Sequence, residues 1–260
     1  MNKMNFTKLE KIKLIYLQNF ATDIGIQNSD IDSKNRNELI NNIYYYLKKY
    51  RNCCSPIIKK NVTFKNKYTK IKQLFEPGKE GTAYLVSNSA NSCNYAMKMF
   101  RKNKSETNIL KEAELQKLAA NVGISPMVID VNAHEKYIVM EQMDTHLLDI
   151  MKKQDKDLKV GQQRQIIDIF KKLDECKVFH NDSNILNYMF KNKKLYIIDF
   201  GMSKAIDDKL IKKLNTDKPN MTLMLIGFIM KLKELGCPQT SYSYLIRFLD
   251  KKYIERFNLL

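Results

Sequence analysis

The order of the predicted elements indicates an α+β fold, in which a five-stranded antiparallel sheet with one helix precedes a shortened, mainly helical part. Between residues 68 and 140, short segments rich in β-branched and aromatic residues alternate with turns that contain Gly, Pro and Asn. After residue 144, apolar residues recur mostly at the helical period. A chain of 260 residues, 44% of them hydrophobic, is long enough to bury a core of this kind.

The first fifty residues are predicted to form a separate unit, a small basic helical hairpin. Apolar residues recur at a helical period over 9–20 and again over 39–47, and Asp32 or Ser33 is suited to begin the second helix. With its leucine spacing and its end at Lys48-Lys49, the pair resembles the SAP-type helix-loop-helix, which binds DNA in other proteins. The alternative is a hairpin that docks on the next domain. Residues 51–67, which contain Pro56, are predicted to be a linker.

The rest of the chain divides into a predicted sheet region, residues 68–143, and a predicted helical region, residues 144–260. Strands are predicted over 68–75, 81–86, 95–100, 127–131 and 137–140, with one helix over 106–121. Further helices are predicted over 147–153, 162–176 and 223–232.

The composition excludes several classes of protein. The five cysteines are odd in number and show no C-x-x-C pair, and no His stands at ligand spacing, so neither a disulfide scaffold nor a structural zinc site is expected. The N-terminus lacks the apolar core of a signal peptide, and the longest apolar run, over 223–230, is about half of what a bilayer span requires. We therefore expect a cytoplasmic protein in a reducing compartment, without a membrane partner.

The net charge of +17 raises the question of a nucleic-acid partner. Of the 45 basic residues 39 are Lys, whereas contacts to base edges and bidentate phosphate contacts favour Arg, so much of the excess fits a solvated surface. The distribution is uneven, because residues 1–67 hold 13 basic and 5 acidic residues. A contact with nucleic acid is therefore expected through residues 1–67, if the protein makes one.

Three oxygen-bearing side chains in the second half of the chain indicate a metal and phosphate site. Asn187 follows Asp182 by five residues, and Asp199 stands at the end of an apolar strand, directly before Phe200-Gly201. A carboxylate at the end of a buried strand is costly unless a cation neutralises it. Asp199 and Asn187 offer the hard oxygen ligands that suit Mg²⁺, which leaves Asp182 free to accept a proton from an attacking hydroxyl.

A lysine on a predicted strand supplies a second part of such a site. Lys98 ends the segment Tyr-Ala-Met-Lys, and an ammonium group that points inward from a strand requires a partner. Glu112 on the next helix can be that partner, and Glu114 is the alternative. The turn that runs from Pro77 to Gly81 can approach phosphates with its backbone N–H groups.

Together these segments resemble the protein kinase superfamily, which carries such residues in this order: Lys98, then His-Asn-Asp with Asn187, then Asp199-Phe200-Gly201. The resemblance implies a two-lobed fold with ATP between an N-lobe, residues 68–143, and a shortened C-lobe, residues 144–260. It implies that Lys98 binds the α- and β-phosphates and pairs with Glu112. It also implies that Asp182 orients the acceptor hydroxyl and that Asn187 and Asp199 hold the metal ions.

The same resemblance implies an adenine site. The residues implied to contact the nucleotide are Gly78 and Gly81 of the turn, Ala83 and Ala96 on the roof of the pocket, Met140 as gatekeeper, and the backbone of Glu141 and Met143. The apolar helix over 223–232 would then be the central helix of the C-lobe. Asn220 or Asp217, near its start, would brace the loop that contains Asp182.

The sequence departs from the kinase pattern at three positions. The turn reads Glu76-Pro77-Gly78-Lys79-Glu80-Gly81 and lacks the first glycine of the pattern, which predicts a stiffer turn. Asn181 replaces the arginine that often receives an activation-loop phosphate, so switching by loop phosphorylation is not expected. Asn184 replaces the lysine that stabilises the transferring phosphoryl group in protein Ser/Thr kinases, which predicts a slower enzyme.

The predicted C-lobe is short, because 59 residues follow Gly201 and they contain no Ala-Pro-Glu motif. In this the chain resembles compact kinases of large DNA viruses and of bacterial effectors. Residues 199–203 also match the Asp-Phe-Gly-x-Ser segment of small atypical kinases. The viral and effector resemblance implies a location in the host cytoplasm or in a virion.

The function that these observations favour is transfer of the γ-phosphoryl group of ATP, with Mg²⁺, to Ser/Thr hydroxyls of a protein substrate. Two alternatives stay open. One is a kinase-shaped scaffold that binds nucleic acid or a protein partner without transfer, and the other is a phosphotransferase that acts on a small molecule. The sequence makes no prediction of the oligomeric state.

Overall fold

The computed structural model describes residues 67–89 and 93–259. The hairpin predicted over residues 1–50 and nearly all of the linker predicted over 51–67 lie outside the described residues. Within the described part, Tyr68–Asn88 and the chain from Asn94 onward form one compact unit. This unit contains a sheet-based N-lobe and a larger C-lobe, whose hydrophobic core also includes Leu115, Ala119 and Ile124 of the N-lobe.

The N-lobe is built on a five-stranded antiparallel sheet in the order β1-β2-β3-β5-β4. The strands are β1 (Tyr68–Gln73), β2 (Gly81–Asn88), β3 (Asn94–Phe100), β4 (Val128–Asn132) and β5 (Tyr137–Met140). The central strand is β3, and its register sets Lys98 opposite Ala83 of β2 and Ile138 of β5. The predicted five-stranded antiparallel sheet is thereby confirmed.

One helix, α1 (Glu106–Asn121), packs against this sheet. Ser105 begins the helix, because its hydroxyl accepts a hydrogen bond from a backbone N–H of the first turn. Ile109 and Ala113 lie in a small apolar cluster with residues of the sheet. Glu112 lies on the same buried side of the helix, so its carboxylate faces the lobe interior rather than solvent.

The C-lobe combines short strands with helices. Its helices are α2 (Leu147–Lys152), α3 (Val160–Glu175), α4 (Asp208–Leu214), α5 (Leu225–Glu234), α6 (Ser243–Ile246) and α7 (Lys251–Arg256). Its strands are β6 (Thr145–His146), β7 (Val178–Phe179), β8 (Tyr188–Lys191), β9 (Lys194–Ile197) and β10 (Lys204–Ala205). Because β6, β8 and β9 form one sheet and β7 pairs with β10, the loop between β7 and β8 is held at both ends.

The C-lobe core centres on α3 and α5. Phe170, Tyr188 and Phe228 are fully buried and meet edge to face, with ring centroids between 5.1 and 6.4 Å apart. These rings join α3, β8 and α5, so the strand that follows the β7–β8 loop rests on rigid packing. Among the helices of the described part, none is both long and apolar enough to cross a bilayer.

Several elements begin or end a few residues away from their predicted limits. β1 ends at Gln73 instead of residue 75, because the Gln73 side-chain amide donates a hydrogen bond to the Phe75 carbonyl at 2.7 Å and the chain turns there. α3 begins at Val160 instead of residue 162, because the Gln162 side chain accepts the backbone N–H of Lys159 at 2.8 Å. The predicted helix 223–232 corresponds to α5, which a π-helical segment, Asn220–Met224, precedes.

Candidate active site

A cluster of charged side chains lies where the N-lobe meets the C-lobe. The Nζ atom of Lys98 is 2.6 Å from Oε1 of Glu112 and 2.5 Å from Oδ1 of Asp199. Burial alone lowers the pKa of Lys98, but the two carboxylates outweigh it and raise this pKa above the usual range of lysine. A charged lysine therefore joins β3, α1 and the segment that follows β9.

The geometry of α1 decides between the two glutamates considered for Lys98. The Glu112 side chain is 3% exposed and reaches Lys98, whereas Glu114 lies on the exposed side of the helix. Burial raises the pKa of Glu112 and the charge of Lys98 opposes that rise, with a net shift upward. Glu112 thus depends on its lysine partner, and Glu114 lies outside the site.

Asp199 occupies a strained backbone position at the end of β9. Its φ angle is 67°, in the left-handed region that costs a non-glycine residue on the order of 1 kcal/mol. The fully buried ring of Phe200, the next residue, holds the segment against the C-lobe core. Burial raises the pKa of Asp199, but Lys98 outweighs this effect and lowers it. The result is an ionised carboxylate that faces Lys98 and is still 46% exposed.

Asp182 lies in the loop between β7 and β8 and is held in one orientation. Its Oδ2 accepts a hydrogen bond from Nδ2 of Asn187 at 2.8 Å, and its Oδ1 accepts one from the backbone N–H of Asn184 at 3.1 Å. The carboxylate remains partly exposed and forms no ion pair with any residue of the described part. An oriented carboxylate of this kind can accept a hydrogen bond from an incoming hydroxyl.

Asn184 stabilises this loop where many protein kinases carry a lysine. Its side-chain oxygen accepts the backbone N–H of Leu186 at 3.1 Å and begins a 3-10 turn over Ile185–Asn187. The position therefore contributes loop geometry and no positive charge.

His180 ties the Asp182 loop to the segment before Asp199. The ring is fully buried, and its nitrogens lie 3.1 Å from the Asp182 carbonyl and 3.0 Å from the Ile198 carbonyl. It packs edge to face on Phe200 at 4.9 Å, and burial lowers its pKa. The contacts of His180 are those of a residue that positions two chain segments.

A buried polar pair braces the same loop from the helical side. Oδ1 of Asn220 accepts the backbone N–H of His180 at 3.1 Å, and its Nδ2 donates to the Val178 carbonyl at 2.8 Å and to Asp174 at 2.7 Å. Asp174, at the end of α3, also accepts the backbone N–H of Asn220 at 3.0 Å. Of the two residues considered for this role, Asn220 contacts the loop and Asp217 is exposed.

The turn between β1 and β2 closes through a hydrogen bond from the Gly78 N–H to the Gly81 carbonyl, at 2.8 Å. Arg101 anchors it, because the guanidinium donates to the Gly78 carbonyl at 3.1 Å and the backbone N–H donates to the Glu80 carbonyl at 2.9 Å. A Cβ on Gly81 would collide with the carbonyl of Met99. Strand packing therefore requires the glycine at 81, whereas a Cβ on Gly78 would make only an ordinary contact with the Gly81 oxygen at 3.6 Å.

The residues implied for the adenine pocket lie on β2 and β3, at the end of β5 and directly after it. They are Ala83, Ala96, Met140, Glu141 and Met143. Ala96 pairs with Met140 across β3 and β5, and Met143 is 7% exposed. The backbone N–H of Glu141 donates to the Met127 carbonyl at 2.9 Å, so its carbonyl is the group left for a ligand.

One cavity lies near this region, and another lies in the C-lobe. One, of about 490 Å³, lies beside the segment that follows β5, where the ring of Phe75 stands 4.5 Å from that of His146. Phe75 thereby contacts the C-lobe from the end of the β1–β2 turn. The other, of about 600 Å³, is lined by α3 and by residues 216–222 and 248–253, and it includes none of the charged cluster.

Two residues of the charged cluster were not predicted. Nζ of Lys104 lies 2.8 Å from Oε1 of Glu80 and 3.6 Å from Oε2 of Glu112. Oε2 of Glu80 lies 3.6 Å from Nζ of Lys98. Both residues stand in turns, where charged side chains are usually solvated, and the position of Glu80 beside Gly81 is the one sequence signal that could have indicated it.

The carboxylates of the cluster form an oxygen-rich donor set. Glu80, Glu112 and Asp199 each place one oxygen within 4.8 Å of the others. Oε2 of Glu80 and Oε2 of Glu112 are buried and accept no hydrogen bond within the described part. The Lys98 ammonium lies within 3.6 Å of all three carboxylates, and of these the half-exposed Asp199 carboxylate is the one that fits a hard cation such as Mg²⁺. Asn187, the other predicted ligand, is 6% exposed, and its amide nitrogen bonds Asp182, so its oxygen would be the ligand atom.

The chain matches a known protein family. The sequence profile described as the RIO domain matches residues 42–224, well over half of the chain. A search of curated proteins found no matching relative. The matched range includes Lys98, Asp182 and Asp199, and the N-lobe sheet and C-lobe described above confirm the kinase-like fold predicted from the sequence. The chain therefore belongs to the RIO domain family, an atypical branch of the protein-kinase-like proteins.

Proposed function

We propose that this protein is an ATP- and Mg²⁺-dependent protein kinase that transfers the γ-phosphoryl group to Ser/Thr hydroxyls. The observation that supports it most is the contact of Lys98 with both Glu112 and Asp199, which come from distant parts of the chain. Glu112 is buried and holds the ammonium in place, whereas Asp199 is half-exposed and can exchange that contact for a ligand. This arrangement suits a site that binds a phosphate and its cation.

In this proposal each part of the cluster has a role toward the nucleotide. Lys98 binds the phosphates, and the adenine lies against Ala83 and Ala96 beside the carbonyl of Glu141. Asp199 and Asn187 would hold Mg²⁺, which supplies charge neutralisation for the phosphates when it is bound.

Asp182 is proposed to position the acceptor. The acceptor oxygen forms a bond to the γ-phosphorus, the bond from that phosphorus to the β–γ bridging oxygen breaks, and ADP leaves. The hydroxyl proton passes to the Asp182 carboxylate, which Asn184 and Asn187 hold in one orientation before the acceptor arrives.

The test is phosphate incorporation from labelled ATP by the purified full chain, with Mg²⁺ and with casein as a generic protein acceptor. We expect Asp182→Asn and Asp199→Asn each to lower incorporation by a factor of about 100 or more. The first variant lacks the proton acceptor, and the second lacks the anionic metal ligand. Asp208→Asn is the matched control, because Asp208 is exposed on α4, away from the cluster, and should leave the rate unchanged.

Three other outcomes would contradict the proposal in different ways. Unchanged incorporation in Asp182→Asn removes the role given to Asp182. Binding of ATP without transfer to casein or to the chain itself favours the kinase-shaped scaffold. Transfer to choline or an aminoglycoside but not to casein places the acceptor among small molecules.

A further inference from the structure

Glu80 stands between two lysines on the turn that faces the candidate ATP site. Its Oε1 is 2.8 Å from Nζ of Lys104, and its Oε2 is 3.6 Å from Nζ of Lys98. The carboxylate also approaches Gly201 so closely that a Cβ on that glycine would collide with it. A carboxylate shared by two ammonium groups occupies a position that suits a phosphate oxygen equally well.

The charge balance of the cluster disfavours a nucleotide while Glu80 is in place. Lys98 and Lys104 supply two positive charges, and Glu80, Glu112 and Asp199 supply three negative charges, which leaves a net charge of −1. A triphosphate is repelled by a net negative site. Withdrawal of the Glu80 carboxylate brings the balance to zero and turns both lysines toward an incoming anion.

Lys104 requires a replacement partner if Glu80 withdraws. Its side chain is 13% exposed, and its other carboxylate contact is Oε2 of Glu112 at 3.6 Å. A partly buried ammonium is costly without a close anion. A phosphate oxygen of the nucleotide is the anion that arrives when Glu80 is displaced.

The Glu80 side chain can withdraw without disturbing the turn. The side chain as a whole is 38% exposed although Oε2 is buried, so rotation about its side-chain bonds can carry that oxygen from the cluster into solvent. The backbone of Glu80 stays anchored, because its carbonyl accepts the Arg101 N–H at 2.9 Å.

We propose that Glu80 is an internal anion that occupies a phosphate position, and that Lys104 is a second phosphate-binding cation that Glu80 covers until a nucleotide enters. The inference rests on the proposed function, because it assumes that phosphates enter this site. Many protein kinases carry a lysine at the position of Asn184 in the Asp182 loop. Here Lys104 supplies part of that positive charge instead.

The test compares binding of ATP, inorganic tripolyphosphate and adenosine to the full chain by calorimetry, with Mg²⁺ and with a chelator. Lys104→Met should weaken ATP and tripolyphosphate about tenfold, the loss expected from one charge-assisted contact, and leave adenosine unchanged. Glu80→Gln should tighten both phosphate ligands by a factor of about 3 to 10 and also leave adenosine unchanged. The matched controls are Lys102→Met and Glu76→Gln, since both residues are exposed on the same connections.

Opposite shifts would overturn the inference. If Lys104→Met leaves ATP affinity unchanged or tightens it, Lys104 serves only to hold Glu80. If Glu80→Gln weakens ATP, Glu80 takes part in binding rather than blocking it. The double variant Glu80→Gln/Lys104→Met removes both charges, so it should fold even where Lys104→Met alone is unstable, and it should bind tripolyphosphate more weakly than Glu80→Gln.

Failure of this inference differs from failure of the proposed function. Wild-type protein that binds ATP with the expected changes in the variants, but transfers no phosphate, contradicts the proposed function and supports the inference. Transfer that proceeds with no change of affinity in either variant contradicts the inference alone. Wild-type protein that binds neither ATP nor tripolyphosphate contradicts both.

Discussion

At the scale of single residues, the buried carboxylate of Glu112 depends on Lys98 for its charge compensation. Lys98→Met should therefore destabilise the fold by about 2 kcal/mol at neutral pH. This is less than the roughly 3 to 5 kcal/mol of a fully buried pair, because Lys104 remains 3.6 Å from Oε2 of Glu112. Urea unfolding measures the loss. Lys72→Met is the matched control, since Lys72 is exposed on β1.

The sign of the pH dependence follows from the Glu112 pKa. Burial already raises this pKa, and removal of Lys98 removes the charge that opposes the rise. A buried acid with a raised pKa costs stability above its ordinary pKa, and protonation relieves that cost as the pH falls. The destabilisation by Lys98→Met should therefore be smaller at about pH 5 than at about pH 7.5. Lys98→Met/Glu112→Gln should recover most of the loss, and an equal loss at both pH values would contradict this account.

At the same scale, the candidate site was predictable where a side chain belongs to a recurring order of residues. Lys98, Glu112 and Asp199 meet as that order implies, although they lie far apart in the sequence. Glu80 and Lys104 were not predicted, because the burial of a charged residue in a turn depends on the segment that packs opposite it, and the position of Glu80 beside Gly81 is the one signal that the sequence offers. The hydrogen bonds that hold the Asp182 carboxylate likewise depend on the geometry of the loop and not on sequence spacing alone.

At the scale of elements, the two glycines of the β1–β2 turn differ in the room that the structure leaves for a Cβ atom. Gly81→Ala should destabilise the protein by about 1 to 3 kcal/mol, because its Cβ would meet the Met99 carbonyl and push β2 away from β3. Gly78→Ala should change stability by less than about 0.5 kcal/mol, since the nearest atom to its Cβ is the Gly81 oxygen at 3.6 Å. Thermal unfolding of the two variants measures the difference in stability. Similar losses in both would show that the close contact with the Met99 carbonyl is not the reason for a glycine at position 81.

Elements with strong local signals were predicted closely. α1 has the predicted limits, because Ser105 marks its start by capping. β5 also has the predicted limits. The two-residue strands β6, β7 and β10 were not predicted, because they exist only through pairing with distant segments, as Lys204 pairs with Phe179. Their sequences alone are too short to show a period.

At the scale of the whole molecule, the two lobes of the described part are joined by apolar packing and by polar contacts. The N-lobe clusters around Ile138 and Val86 are separate from the large core, but that core includes Leu115 and Ala119, so α1 packs into it. The sheet side of the N-lobe adds the contacts of Lys98 with Asp199 and of Phe75 with His146. Ion pairs and ring contacts are easier to exchange than a packed core, so a ligand that competes for Lys98 can change how the sheet meets the C-lobe while α1 stays packed on the core.

The uneven charge of the whole chain bears on a possible second ligand, and we propose that residues 1–67 contact nucleic acid. These residues hold 13 basic and 5 acidic side chains, against 32 and 23 in the remaining chain. Affinity from phosphate contacts falls steeply with salt, with a slope of about 0.9 per contact on logarithmic axes. The number of lysines and arginines that touch phosphate can therefore be read from the salt dependence.

Replacement of Lys48, Lys49 and Arg51 by Gln in the full chain should weaken binding to a duplex oligonucleotide and reduce the salt slope by up to about 2.7, if each contacts a phosphate. The matched control replaces the three basic residues of α7 (Lys251–Arg256) by Gln, which changes the net charge equally. Fluorescence anisotropy over a range of KCl concentrations measures both slopes. Equal reductions in the two variants would mean that net charge, not the first 67 residues, attracts the duplex. Salt-insensitive binding, or none, would remove nucleic acid from the partners of this protein.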